Sequence, residues 1–488
     1  MTKIKITKLV NLICFLGLIL FFSCKQAKSN SEEQEAKIPD FSSVSQIDQG
    51  KPISVMLTAY STTLIANGKD KTKLRVAVID SLNREITSAE DSIRLYVTGD
   101  GSLKTMDDLD FTFGSDSTGT KYAMAKLDHG ILNLQFIAGT TPDKVQVEAK
   151  SGTLWPGGHE IHTLPNDFEY KTPAKDQLPE TTKPIDRMIG ADISFLPQLE
   201  HRGIKFTENG KEIDAIALLK EHGFNYIRLR IFVNPENEKG YSPKDGYCDL
   251  DHTLAMAKRI KDAGMKFLLD FHYSDYWADP QQQFKPKAWE GLDFDELQVT
   301  VTNYSSDVLN AMKNQGTMPD MVQVGNEINH GMIWPDGHIG NPDGLADLLK
   351  AGIKGVNDVD SSIPIMMHIA LGGQNDEAVF WLDNMIARGV QFDIIGLSYY
   401  PRWHGTLNDL YANLHDLAKR YNKPLNVVEY SDYKKEVHDI IFGLPDGMGK
   451  GAAIWEPLNW RTDLFDREGA VNDKIKVYDE LNEKYLKY

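Results

Sequence analysis

Cysteine is scarce in this chain of 488 residues: there are three, and two of them, Cys14 and Cys24, lie in an apolar N-terminal segment, leaving Cys248 alone in the part that must fold. A disulfide framework is excluded, so stability has to come from hydrophobic cores. Positive charge is also in deficit. The 53 Lys and Arg stand against 70 Asp and Glu, a formal net charge of -17. This argues against nucleic acid as a partner, since phosphate backbones are bound mainly through Lys and Arg, and suits a neutral or cationic ligand. The longest leading apolar run, Leu9 to Phe22, is too short to span a bilayer. A Gly-rich phosphate turn is missing from the position after the first strand of the C-terminal part, where Gly190-Ala191-Asp192 stands, which speaks against a doubly wound nucleotide-binding sheet.

What is present divides the chain into segments. Lys3, Lys5 and Lys8 precede the apolar run, and Ser23-Cys24 ends it with small-residue cleavage chemistry. Residues 1–24 are therefore read as a lipoprotein signal peptide with Cys24 as the lipidated residue, although Phe21 stands where such signals usually carry Leu. The expected location is extracytoplasmic, on the outer membrane, with the membrane touched only through the lipid anchor. Residues 25–50, rich in Lys, Ser, Glu and Gln, read as a flexible tether. From 51 to 165 short alternating runs, such as Lys73 to Ile79 and Ser92 to Val97, predict half-buried strands of a small all-β sandwich. The stretch from Ser61 to Asp80 resembles bacterial Ig-like domains. Residues 166–186, with Pro173, Pro179 and Pro184, read as a linker.

Residues 187–488 alternate short apolar runs with longer amphipathic stretches, an α/β pattern. Candidate strands are Met188 to Ile193, Tyr226 to Phe232, Phe267 to His272, Met321 to Val324, Ile363 to Ala370, Phe392 to Ser398, Leu425 to Val428 and Ala452 to Trp455. Helical periodicity is clearest at Leu250 to Ala263, Gly344 to Val356, Leu407 to Tyr421 and Asp473 to Tyr485. Eight such units over a segment of this length have the size of a (β/α)8 TIM barrel, which the sandwich precedes.

In that architecture the polar residues at strand C-terminal ends face the site. The ends offer Asp192, Arg228 and Arg230, Asp270 and His272, Asn326-Glu327, Tyr399-Tyr400, Glu429 and Trp455-Glu456. Glu327 and Glu429, on the fourth and seventh strands, form a carboxylate pair that can flank a glycosidic bond. In retaining hydrolysis such a pair stands about 5–5.5 Å apart. Glu327 is assigned as acid/base, Glu429 as nucleophile, Arg230 as the positive neighbour of Glu429, and Asn326 as the partner of a sugar 2-hydroxyl. Tyr273, Tyr276, Trp277, Trp289, Trp334, Trp403 and Trp455 supply aromatic faces on which sugars stack, with Trp455 the first choice and Trp289 as readily a packing residue.

Six segments carry a resemblance to a known family: GADISFLPQLE from Gly190, NYIRLRIFVNP from Asn225, AKRIKDAGMKFLLDFHYSDYWADP from Ala257, VQVGNEINHGMIWPDG from Val322, DIIGLSYYPRWHG from Asp393 and IWEP from Ile454. They resemble glycoside hydrolase family 53, the endo-β-1,4-galactanases. The resemblance implies hydrolysis of β-1,4-galactan or type I arabinogalactan, with Glu327 on the acid/base and Glu429 on the nucleophile. It places Arg230, His272, Asn326, Tyr400 and Trp455 at the cleavage subsite, with Asp192, Trp277, Trp403 and His404 nearby. Galactan specificity enters only through it. Two departures stand out. Val428-Glu429-Tyr430-Ser431 lacks the Thr usual after the nucleophile, and the segment from Glu429 to Trp455 is short where the family often carries a long loop with calcium. No cofactor is therefore expected, and calcium enters only through Asp432, Asp439 and Asp446, which lack ligand spacing. The alternatives are a non-catalytic surface glycan-binding lipoprotein and the same chemistry on short β-galacto-oligosaccharides.

Overall fold

Residues 54–164 form two antiparallel-rich sheets that enclose one core. The computed structural model describes residues 39–44, 49–106, 110–178, 181, 183–459 and 463–487, so Cys24, the 1–24 leader and most of the 25–50 tether lie outside the described residues. The first sheet runs, in spatial order, Ser54–Ala59, Lys71–Ile79, Ile131–Ala138 and Gly101–Thr105. The second runs Thr63–Ile65, Gly157–Leu164, Lys144–Lys150, Ser92–Thr98, Lys121–Lys126 and Thr112–Ser115. Alternation explains the packing. Leu132, Leu134, Phe136 and Ala138 point inward from one strand and meet Leu95, Val147 and Ile161 of the facing sheet. Gly157 opens a strand, and a Cβ there would come within 2.6 Å of the Val55 carbonyl oxygen.

The segment after the sandwich lies along the second domain. Tyr170 donates to Asp383 at 2.7 Å, Thr181 Oγ1 to the Asp393 carbonyl at 2.7 Å, and Lys183 to the Ile363 carbonyl at 2.8 Å.

Eight parallel strands then close into a barrel: Met188–Asp192, Tyr226–Ile231, Lys266–Phe271, Met321–Val324, Ile365–Ile369, Ile394–Tyr399, Leu425–Tyr430 and Gly449–Trp455. They are the eight runs expected from the sequence, because a strand buried on both faces is a short apolar run bounded by polar turns. The helices Leu250–Asp262, Pro342–Val359 and Leu407–Tyr421 fall where the periodicity placed them. The longest helix among the described residues, Phe294–Gln315, begins at a capping box of Asp293 and Glu296 and ends on left-handed Gly316. Inside the barrel, Met188, Tyr226, Leu268, Met321, Met366, Ile394, Val428 and Ala453, one from each strand, form an apolar plug. That plug is the floor of everything above it. Among the described residues no helix is long and apolar enough to cross a membrane.

Candidate active site

Two residues beyond the plug, where a strand again points inward, four strands turn polar: Tyr226 gives way to Arg228, Leu268 to Asp270, Met321 to Gln323 and Met366 to His368. All four are at most 1% exposed. The Arg228 guanidinium is the hub. It donates to Glu429 Oε1 at 2.7 Å, Asp192 Oδ2 at 3.0 Å, Asp270 Oδ2 at 2.8 Å and Asn326 Oδ1 at 2.7 Å. So fully engaged a cation cannot swing away, and it presents fixed positive charge to Glu429.

Glu429 reaches this tier through a register shift. Leu397 pairs with Val427 and Ser398 with Glu429, so the seventh strand carries one extra residue there. That bulge lets Val428 enter the plug while Glu429, its direct neighbour, also serves the interior. Glu429 Oε2 accepts from the Tyr400 hydroxyl at 3.0 Å. The backbone of Tyr400 in turn donates to His404 Nδ1 at 3.1 Å, which makes buried His404 a support for Tyr400.

Glu327 is held differently. The fourth strand ends at Val324, Gly325 has φ of 84°, and Glu327 itself is left-handed at φ 48° before the short turn Ile328–His330. A non-glycine residue in that region costs about 1–3 kcal/mol, strain that recurs at functional sites. Its Oε1 accepts from Ser398 Oγ at 2.6 Å, and Ser398 Oγ lies 2.9 Å from His368 Nε2. Burial, and next Arg228, hold His368 well below the ordinary histidine range, so it is neutral.

The two carboxyls therefore differ. Burial pushes Glu327 well above the usual carboxylate range, the charge of Glu429 pushes it further, and Ser398 alone of its hydrogen bonds works against the shift. Burial also raises Glu429, but Arg228 and the Tyr400 hydroxyl oppose that. When the pair shares one proton, Glu327 holds it and Glu429 keeps the charge. Such an arrangement can give a proton on one side of a bond and an electron pair on the other.

Replacement of Ser398 by Ala removes the hydrogen bond that favours ionised Glu327, so the group will hold its proton to higher pH. The alkaline limb of the kcat/KM profile should move upward in Ser398→Ala, with the plateau lowered by about tenfold at most, the worth of one hydrogen bond to a neutral group. An alkaline limb that stays in place or moves down would disprove this coupling.

The other sequence-assigned residues gather around the same mouth, with one correction. Arg230 is not the neighbour of Glu429. Two residues farther along its strand than Arg228, it lies at the rim, 3.4 Å from Asp192 Oδ1, 3.3 Å from Glu456 and 4.3 Å over the Trp277 ring. Asp192 is fully buried and holds both arginines. His272 bonds Asp270 at 3.0 Å and accepts from the Ala278 N–H at 3.2 Å. Asn326 gives one amide proton to the Ala278 carbonyl at 2.8 Å and keeps the other. Trp277 and Trp455 are half-buried with ring centroids 6.1 Å apart, while Trp403 is 44% exposed. Trp289 is a core residue, 5% exposed and packed edge-on to Tyr304.

A cavity of about 740 Å³ is lined by Tyr400, Trp403, Trp455 and Glu456, and one of about 320 Å³ by Glu327, Tyr400, Trp403 and His404. The Glu456 carboxyl is pushed up to about 7 by burial against the opposing pull of Arg230. Asp432 accepts from Asn83 at 3.0 Å and Asp439 from Tyr485 at 2.6 Å, and among the described residues no three His, Cys, Asp or Glu side chains converge as metal ligands.

The family described as "Glycosyl hydrolase family 53" matches residues 188–450. A Niallia circulans relative, described as an uncharacterized protein, is 44% identical over 312 residues, covering 55% of this chain and 83% of its own. The probable arabinogalactan endo-beta-1,4-galactanase A of Aspergillus tubingensis is 34% identical over 304 residues, covering 55% of this chain and 84% of its own. Among solved structures, the GH53 catalytic domain of Ignisphaera aggregans is 34% identical with a TM-score of 0.57, covering 62% of this chain and 97% of that one.

Proposed function

The chain belongs to glycosyl hydrolase family 53, and from that premise we propose that it is an endo-β-1,4-galactanase that cleaves galactan or type I arabinogalactan with retention of configuration. The observation that carries the reading is the asymmetry of one carboxyl pair: the Glu429 carboxyl fixed against Arg228 and Tyr400, the Glu327 carboxyl bonded, among the described residues, to neutral Ser398 alone. In the first step Glu429 attacks the anomeric carbon while Glu327 gives its proton to the departing glycosidic oxygen, so the carbon–oxygen bond breaks as the glycosyl ester forms. In the second, Glu327 takes a proton from water, and the resulting hydroxide displaces Glu429 from the anomeric carbon. Asn326 offers its remaining amide proton to the 2-hydroxyl, and Trp455 and Trp403 offer faces to the sugar rings.

We also place the protein on a membrane through lipidated Cys24, on the strength of the leader sequence, where a galactanase meets polymer outside the cell. The test is direct. Incubated with β-1,4-galactan, the protein should release β-configured reducing ends, seen by proton NMR before mutarotation, while polymer viscosity drops early. Initial α-products would overturn the retaining assignment, and binding without any cleavage would overturn the enzyme.

A further inference from the structure

The cleft beside Glu327 is not built from the barrel alone. Thr62, Gly158, His159 and Glu160, all of the N-terminal sandwich, line the 320 Å³ cavity together with Glu327 and Trp403. The family match begins only at residue 188. The sandwich is locked in place at this point. Glu377, 1% exposed on the helix Asn375–Ala387, accepts from the Thr62 N–H at 2.5 Å, Thr62 Oγ1 at 2.8 Å and Thr63 Oγ1 at 3.0 Å. Thr62 Oγ1 also lies 2.9 Å from His330 Nε2, and the His162 ring stacks on His330 at 3.8 Å. His330 ends the turn that starts directly after Glu327. A polar contact this buried is costly to break, so the wall is as fixed as the acid/base loop itself.

The chemistry of the cavity suits a sugar. Its volume is at the small end of the range for small-ligand sites, about 300–1,000 Å³. Trp403 offers a ring face. Glu160 is held down to about 2, His162 and Lys144 outweighing its burial. Both of those contacts use Oε1, at 2.8 and 3.0 Å, which leaves Oε2 to accept from a hydroxyl. Burial holds His159 down to about 4, so it is neutral and polar. Three side-chain atoms of the lining residues, His159 Nε2, Asn329 Oδ1 and Gln374 Oε1, are buried without a hydrogen-bond partner among the described residues. Such atoms carry a cost that a hydroxyl-rich ligand seated against these walls offsets.

We propose that the N-terminal sandwich completes the leaving-group subsite, with His159 and Glu160 as specificity-determining residues that hold the hexopyranose on the departing side of the scissile bond. This rests on Glu327 being the proton donor, since the donor stands on the leaving-group side. The catalytic machinery then spans two domains that are separate in sequence.

The experiment compares galactopentaose, which fills the leaving-group side with sugar, and 4-nitrophenyl β-galactobioside, whose leaving group is not a sugar. In Glu160→Ala and in His159→Ala the loss of kcat/KM should be about tenfold larger on the pentasaccharide than on the nitrophenyl glycoside, carried mainly by KM. Glu160→Gln, which keeps an acceptor oxygen, should recover most of it, and the preferred bond in the pentasaccharide should shift in the Ala variants. Equal losses on the two substrates, the result of a merely structural role, would overturn the proposal, as would no loss on either. A wild-type protein inactive on both substrates would instead refute the galactanase reading.

Discussion

Glu429→Gln is expected to lower kcat on β-1,4-galactan by at least about 10⁴-fold, the scale seen when a covalent nucleophile is removed from an otherwise intact site. The fold should survive. The amide oxygen still accepts from Arg228 and the shape is kept, so the melting temperature will change little while the electron pair that attacks the anomeric carbon is gone. Glu429→Gly leaves room for a small anion beside the Arg228 charge. Azide added to that variant should attack the anomeric carbon from the vacated side and yield an α-galactosyl azide from an activated β-glycoside. A Gln variant retaining more than about 1% of wild-type turnover would put the nucleophile elsewhere. Glu456, with its carboxyl pushed up to about 7, would be the next candidate.

The barrel was legible from the sequence because a buried parallel strand leaves a simple mark, and each of the eight strands left one. The carboxyl pair was legible because strand ends at a barrel mouth are a short roster. Assignment of the positive neighbour failed for a physical reason. Arg228 and Arg230 are two residues apart and point to the same side, so alternation cannot say which lies in the tier of Glu429. That depends on barrel stagger and on the extra residue in the seventh strand, neither of which one strand displays. His368 was missed because Ile365-Met366-Met367-His368-Ile369 reads as packing, and Ser398 because a serine at a strand end is unremarkable by itself. The one available signal was the step of two from an apolar plug residue, Met366, to His368. The contact between Thr62 and Glu377 joins residues 315 apart and has no local signature at all. Nothing in the alternation of the sandwich strands points to the cleft, while the structure puts the sandwich in its wall.

Glu327→Ala should separate the two halves of the reaction. Loss of a general acid costs about 10²–10⁴-fold where the leaving group needs the proton, as a sugar does, so galactan hydrolysis should fall by about 10³-fold. A 2,4-dinitrophenyl β-galactoside leaves without help, so its first step is spared, and the second, which lacks a base for water, becomes limiting. A burst of dinitrophenolate followed by a slow steady state with lowered KM is the expected trace. Azide needs no base and should speed the second step, giving a β-galactosyl azide, the opposite anomer from that of Glu429→Gly. The pH profile carries the same logic. Glu327 is active protonated, and burial beside Glu429 raises its pKa, so wild-type activity falls as pH rises through that raised value. Glu429 is active ionised, so activity also falls as pH drops through its own. With the dinitrophenyl substrate under burst conditions, Glu327→Ala should lose the alkaline limb and keep the acid one. Equal losses on galactan and on the dinitrophenyl glycoside, or an alkaline limb that persists in the variant, would show that the proton comes from another group.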